Sequence, residues 1–524
     1  MKYFILTLFS TLVFFTSCKQ DTNTSNAPVA DVDHYSDLHR PQYHFSPPEK
    51  WMNDPNGMVY YEGEYHLFYQ YYPDSTVWGP MHWGHAVTKD LVHWEHLPVA
   101  LYPDSLGYIL SGSAVVDWNN TSGFGQNGKP PLIAIFTHHD PAGERAGRID
   151  FQYQSIAFSN DNGRTWTKYD GNPVIPNPGI KDFRDPKVIW DEGSNQWVMV
   201  FAAADMVKFY GSPNLINWQF LSDFGKTYGS HGGVWECPDL FPMKVAGDGA
   251  VKWVLLLSIN PGGPSGGSAT QYFVGDFDGK KFTLDPTFAA QVMAEKAVWL
   301  DWGRDNYAGV TWSDIPKEDG RRIFMGWMSN WDYANVVPTK KWRSAMTLPR
   351  ELSLVKTAAG YRLLTKPVAE MAANRGSYSK LETTRPKGKL ALPASVQFPQ
   401  SQMEVLLEFE GHLTVELSNA NGELYRIGYD AATNEFFSDR TKSGQFDFSR
   451  SFAGEVVKAP RVSENPLVSM HLFFDVASAE LFADGGETVM TNIFFPTTDF
   501  NKAELVFEGK LIKAEFYEMK RVWD

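Results

Sequence analysis

Short apolar, β-prone runs recur along the first two thirds of the chain. Tyr65–Tyr71, Leu132–Thr137, Trp197–Ala202, Trp253–Ser258 and Arg322–Met328 each have the length of a buried strand rather than of a helix. After four of them a polar turn leads into a second strand carrying an aromatic: Thr88–Trp94, Ser159–Trp166, Ser212–Trp218 and Asp276–Phe282. The fifth runs on to Trp342 and to Leu348–Leu352. Five copies of a hairpin-plus-hairpin unit predict a five-bladed β-propeller, with a plain antiparallel sandwich as the alternative.

Past Leu352 the pattern changes. Residues 366–375 read as a short helical linker, and from Lys380 polar and apolar residues alternate. Val405–Phe409, Leu413–Leu417, Tyr425–Tyr429, Val468–Val476 and Leu505–Glu508 are separated by turns such as Asn419–Gly422 and Asp484–Gly486, which predicts an antiparallel β-sandwich. The expected class is all-β: a propeller over 39–355, a linker over 356–379 and a sandwich over 380–524. That sandwich supports the propeller, binds sugar or pairs subunits; the pattern does not choose, and it says nothing of oligomeric state.

The N-terminus reads differently. Met1-Lys2 precede an apolar run, Tyr3–Phe15, that ends in Thr16-Ser17-Cys18, the layout of an export signal over residues 1–18. Cys18 directly after small residues resembles the lipidated cysteine of bacterial lipoproteins, although Phe15 stands where leucine is usual. The run is too short for an ordinary membrane span. Residues 19–38 are polar and read as a tether. With Cys18 lipidated, Cys237 stands alone and no intrachain disulfide is expected.

Composition narrows the function. The formal net charge is −14, which argues against nucleic acid and against anionic membranes as partners. Aromatics make up 15% of the chain, including 18 Trp, a supply that suits stacking on sugars as well as core packing.

Three carboxylate motifs sit just before strands of the repeat. Trp51-Met52-Asn53-Asp54-Pro55-Asn56-Gly57 precedes the first hairpin, Phe183-Arg184-Asp185-Pro186 the third unit and Glu236-Cys237-Pro238-Asp239 the fourth. Proline biases the residue before it away from helix, and Asn56-Gly57 marks a turn. Any one of these aspartates reads equally well as a turn residue. Strands that begin near a propeller's axis would instead bring Asp54, Asp185 and Glu236 to one funnel. Other features read as structural. Ser159–Trp166 has the pattern of an Asp box but occurs once. His82 with His85, and His138-His139-Asp140, lack a third ligand motif, and Pro261–Gly267 lacks the lysine of a phosphate loop.

Taken together, these motifs resemble glycoside hydrolase family 32, the invertases, inulinases and levanases, over Tyr43 to about Leu352. Phe68-Tyr69-Gln70, Trp78-Gly79, Met81–Ala86, Ser111–Ala114 and Leu348–Leu352 extend the match, and Leu110 departs from it where phenylalanine is usual. The resemblance implies a propeller followed by a sandwich, no cofactor and no metal. It implies Asp54 as nucleophile, Glu236 as acid and then base, and Asp185 as a binder of fructose hydroxyls. Trp51, Asn53, Gln70, Trp78, Ser111, Arg184 and Trp327 would line the pocket, Trp327 being equally readable as core. The activity implied is retaining cleavage of β-fructofuranosidic bonds in levan, inulin or sucrose, exo-acting on the pattern of Trp78–Ala86. An endo-acting levanase or inulinase, a fructosyltransferase and a non-catalytic sugar-binding lipoprotein are the alternatives. A sialidase would need a tyrosine nucleophile and an arginine triad, which the three carboxylates fit less well.

Overall fold

The computed structural model describes Met1 and residues 34–358, 360–392 and 401–523; the export signal, Cys18 and most of the tether lie outside them. Five inner strands surround one axis: β1 (Lys50–Tyr61), β2 (Tyr108–Val116), β3 (Phe183–Asp191), β4 (Val234–Ala246) and β5 (Tyr307–Thr311). Each pairs antiparallel with the strand that the sequence pattern marks as apolar, and further strands complete the blade outward. β1 is buried along almost its whole length because it faces the axis as well as both neighbouring blades. Lys50 and Trp51 pair in parallel with Trp342 and Arg343, so the chain that leaves the fifth blade closes the ring on the first. Asp161 accepts hydrogen bonds from Ser159 Oγ, Thr165 N and Thr165 Oγ1, so the Asp-box-like stretch is a hairpin turn.

Residues 356–379, expected as a linker, are mostly structured. Gly360–Pro367 pairs with Arg350–Thr357 as an outer strand of the fifth blade. Tyr361, Leu363 and Thr365 are buried on one side of it, a period-two signal too short to stand out from the surrounding polar residues. A 3-10 turn, Ala369–Asn374, then leads into the strand Arg375–Lys380.

The C-terminal unit is built on two long antiparallel strands, Gln402–Ser418 and Lys502–Met519, in a ten-stranded sheet. The two runs expected at Val405–Phe409 and Leu413–Leu417 are one strand, interrupted by a register shift at Glu408/Phe409. Val405, Leu407, Leu472 and Leu505 belong to its core.

Ions join the two units. The Arg350 guanidinium from the fifth blade bonds Asp301 at 3.0 Å and also the Glu480 carboxylate. His44 lies 2.8 Å from Asp475 and 2.7 Å from Glu480, with all these side chains fully buried. Buried ions are tolerated only when every partner is present. The two carboxylates outweigh the effect of burial on His44 and hold its pKa up at about 9, against an ordinary 6.5. The folded state therefore keeps a proton that the unfolded chain loses. This contribution to stability is complete below about pH 6.5 and is lost as pH rises through 9. The melting temperature should fall between pH 7 and 9.5, and His44→Gln should flatten that fall; equal slopes in both proteins would rule the network out as the cause. At the same seam Tyr35 stacks on Trp523 with ring centroids 4.3 Å apart, and Trp523 Nε1 donates to His44 O at 3.1 Å.

Candidate active site

All five inner strands break register at the same level. The shifts fall between Met52 and Pro55 in β1, Ile109 and Gly112 in β2, and Tyr307 and Val310 in β5. In β4 the shift lies between Glu236 and Asp239, and in β3 between Arg184 and Lys187. A bulge re-aims side chains and frees a stretch from the ladder. Here it turns Asn53-Asp54, Ser111, Arg184-Asp185, Glu236-Cys237 and Tyr307 toward one funnel. Asp185 (φ 66°), Cys237 (φ 46°) and Ala308 (φ 54°) take the left-handed backbone that non-glycine residues rarely adopt. Pro55, Pro186 and Pro238 follow the aimed residue in three of the five strands. Gly57 (φ 52°) lets β1 pass under two rings, since a Cβ there would meet Phe68 and Trp83 atoms at 2.7 Å.

The three carboxylates are held differently. Asp54 accepts from Ser111 Oγ at 2.6 Å and from Asn53 Nδ2 at 2.9 Å, while Asn53 is fixed by Trp51 Nε1 at 2.7 Å. Glu236 accepts from Arg184 Nη2 at 2.8 Å on one oxygen and from the Tyr307 hydroxyl on the other. Asp185 accepts from Cys237 N at 3.1 Å and lies 3.8 Å from Arg184 Nε. Cys237 Sγ sits between two of them, 3.6 Å from Asp54 and 3.7 Å from Asp185.

Crowding sets the charges. Burial raises the Asp54 pKa and Glu236 adds to it, against the hydrogen bonds from Ser111 and Asn53. Asp185 is pushed up to about 7 by burial and by the charges of Glu236 and Asp54, with Arg184 opposing. Burial and the three acids push the Cys237 thiol well above its usual range, so it stays protonated and is no nucleophile.

These groups open into a cavity of about 330 Å³. Asp54, Asp185, Glu236, Asn53, Gln70, Trp78, Ser111 and Arg184 all line it. Trp51 and Trp327 do not: both are fully buried, and they stack behind Trp331, whose ring is 5.9 Å from Trp51 and 5.0 Å from Trp327. Trp331 and Asn335 form the wall instead, and Asn335 Oδ1 accepts from Trp78 N at 2.9 Å, joining the rims of the first and fifth blades. Leu110, Phe151 and His139 with Glu144 complete the mouth. Tyr307 was not marked by the sequence reading, because it lacks the adjacent acid and proline that three of the other bulges carry. Below the acids the axis narrows to a gap of about 10 Å³ at Asn56, Asp185 and Cys237, room for about one water. Asp239, in the same sequence motif as Glu236, points away. It accepts from Thr311 N at 2.6 Å and faces Lys187 at 3.4 Å.

Residues 44–367 match the family model described as glycosyl hydrolases family 32 N-terminal domain, and residues 370–524 match that of the family's C-terminal region. The chain is 48% identical over 516 residues to a levanase of Bacillus subtilis, covering 96% of this chain and 73% of that one. It is 39% identical over 537 residues to an extracellular exo-inulinase of Aspergillus niger, covering 95% and 98%. Among solved structures, exo-inulinase from Aspergillus awamori superposes with a TM-score of 0.83 at 37% identity, over 93% of this chain and 100% of that one. A β-fructofuranosidase from Schwanniomyces occidentalis complexed with fructosyl-erythritol gives 0.82 at 32% identity, over 93% and 98%. In sequence and in architecture, the chain belongs to glycoside hydrolase family 32.

Proposed function

We propose that the protein is a retaining, exo-acting β-fructosidase that removes terminal fructose from levan- or inulin-type fructans and also cleaves sucrose. One observation carries this reading: two carboxylates, Asp54 buried and Glu236 half-buried, face one cavity, the first held by Ser111 and Asn53 and the second by Arg184 and Tyr307. Fructoside cleavage passes through an oxocarbenium-like state and needs one carboxylate against the anomeric carbon and one acid at the leaving oxygen. Asp54 suits the first role, because Ser111 and Asn53 steady its anion and its position. Glu236 suits the second. Its proton passes to the leaving oxygen, and Arg184 then stabilises the carboxylate left behind. Asp54 forms the bond to the anomeric carbon as the glycosidic bond breaks. Glu236 next takes a proton from water, which displaces Asp54 and releases fructose with its original configuration. Asp185 accepts hydrogen bonds from fructose hydroxyls.

The Trp78–Asn335 bridge supports the exo mode, since it joins the rims of the first and fifth blades and walls that side of the mouth against a polymer lying across it. The levanase and exo-inulinases among the relatives support fructan as substrate. Digests of levan and inulin followed by chromatography should give fructose as the sole early product, and proton NMR should show β-fructose first. A ladder of oligosaccharides would mean an endo-acting cleft, and α-fructose first would make Asp54 a base acting on water.

Export belongs to the same reading, in keeping with extracellular relatives, with Cys18 as the lipid attachment point. Cys18→Ala should then move the protein from the membrane fraction to the soluble one. A wild-type chain already in the soluble fraction would argue for an ordinary cleaved signal.

A further inference from the structure

At the far end of the axis, where the inner strands finish, lies a second and larger cavity of about 990 Å³. Its lining on β3 starts at Lys187, two residues beyond Asp185, and runs on past the strand's end at Asp191 to Gly193. None of the three acids lines this cavity, and the narrow gap, lined by Asp185 on one side and Lys187 on the other, lies between the two spaces.

Three properties of this cavity point to one kind of ligand. First, it offers aromatic faces. Trp118 is 58% exposed and is fixed in place by its Nε1, which donates to Asp314 at 2.9 Å; Trp190 and Trp253 stand half-buried in the walls. An exposed, anchored indole presents a flat apolar face, which suits the C–H side of a sugar ring. Second, it offers unused polar groups. The Arg322 guanidinium makes one long hydrogen bond, to Trp312 O at 3.4 Å, and stacks over Phe241 at 4.9 Å without an ion pair among the described residues. Ser313 Oγ is buried and has no hydrogen-bond partner among the described residues. Buried donors and acceptors are normally satisfied, so such groups are suited to ligand hydroxyls. Third, the charges balance. Lys187, Lys317 and Arg322 line it together with Asp191, Glu192 and Asp314; Lys187 is already paired with Asp239 at 3.4 Å and Lys317 with Glu192 at 2.6 Å. A phosphate or a cation would meet opposing charges of both signs, whereas a neutral polyol would meet donors and acceptors in equal supply.

We propose that this back-face cavity is a second, non-catalytic binding site for a neutral saccharide chain, and that its occupant is a fructan segment. The saccharide class follows from the cavity itself; the choice of fructan rests on the functional reading above. A site here would keep polymer at the enzyme's surface while separate chain ends enter the front cavity, so it should matter for polymers and not for a disaccharide.

The test is affinity electrophoresis in gels containing levan or inulin, with Asp54→Ala as the background so that the polymer persists. Migration should be retarded, and free fructose at a concentration that fills the front cavity should leave the retardation in place. Adding Trp118→Ala or Arg322→Gln should reduce it. In the active enzyme the same substitutions should raise KM for levan about 2- to 10-fold, the scale of losing one aromatic contact. Both kcat and KM for sucrose should stay unchanged. Melting curves identify a variant that has lost its fold, and the two substitutions alter different walls of the cavity. Retardation abolished by fructose, or levan kinetics unchanged in both folded variants, would overturn the back-face site while leaving the fructosidase reading intact. A wild-type chain that hydrolyses no fructan would instead overturn the functional reading, and the fructan occupant with it.

Discussion

Asp54→Ala should lower kcat/KM on levan, inulin and sucrose alike by at least about 10⁴-fold, the scale on which loss of a nucleophile is felt. No neighbour can take over. Asp185 is tied to Cys237 N and lies beside Arg184, and the Cys237 thiol keeps its proton. The fold should survive, because the side chain removed faces the cavity and carries one of three crowded carboxylates. Losing it relieves repulsion with Glu236 and Asp185. The melting temperature at pH 7 should therefore be unchanged or higher while turnover disappears, a common trade between stability and activity. Initial rates and calorimetry on the same preparation decide the matter. Residual activity above about one part in a hundred would remove Asp54 from the nucleophile's role.

Glu236→Ala has a different signature. Loss of a general acid costs about 10² to 10⁴-fold where the leaving group needs a proton, as a sugar alkoxide does. Fructosyl fluoride leaves without one, so its fructosyl-transfer step should be nearly spared. In the proposed mechanism hydrolysis of the intermediate also uses Glu236, as base, so the enzyme should stall after one turnover. A small anion such as azide needs no base and fits the space the carboxylate leaves. Adding it should restore turnover and give β-fructosyl azide. An equal loss on fluoride and on fructan, with no azide product, would mean that Glu236 positions substrate and does not move the proton.

What could be read from the sequence followed from how local each signal was. The five blades were visible because each apolar second strand is a continuous run closed by a turn, and the acids because proline follows Asp54 and Asp185 directly and follows Glu236 one residue later. The bulges themselves were not visible: Ser111 and Tyr307 occupy the same level as the acids with no proline after them, and only the strand pairing reveals it. Trp327 and Trp331 show the limit most clearly. Both lie in one aromatic stretch, yet the backbone turns between them, so that Trp327 packs into the core and Trp331 reaches the cavity. The outer strand Gly360–Pro367 was hidden for another reason. Its partner is the preceding strand of the fifth blade, and its three alternating buried side chains, Tyr361, Leu363 and Thr365, are too few to register as a pattern.

The seam where Tyr35 meets Trp523 ties folding to the order in which the chain is made. The indole that stacks on Tyr35 is synthesised only after both units, so the segment leading into the first blade waits for that contact until the C-terminal unit has been made. Loop-closure entropy grows slowly with separation, and the contact is affordable once both ends exist. Trp523→Ala would consequently act first on the beginning of the propeller, at His44, 479 residues earlier in the sequence.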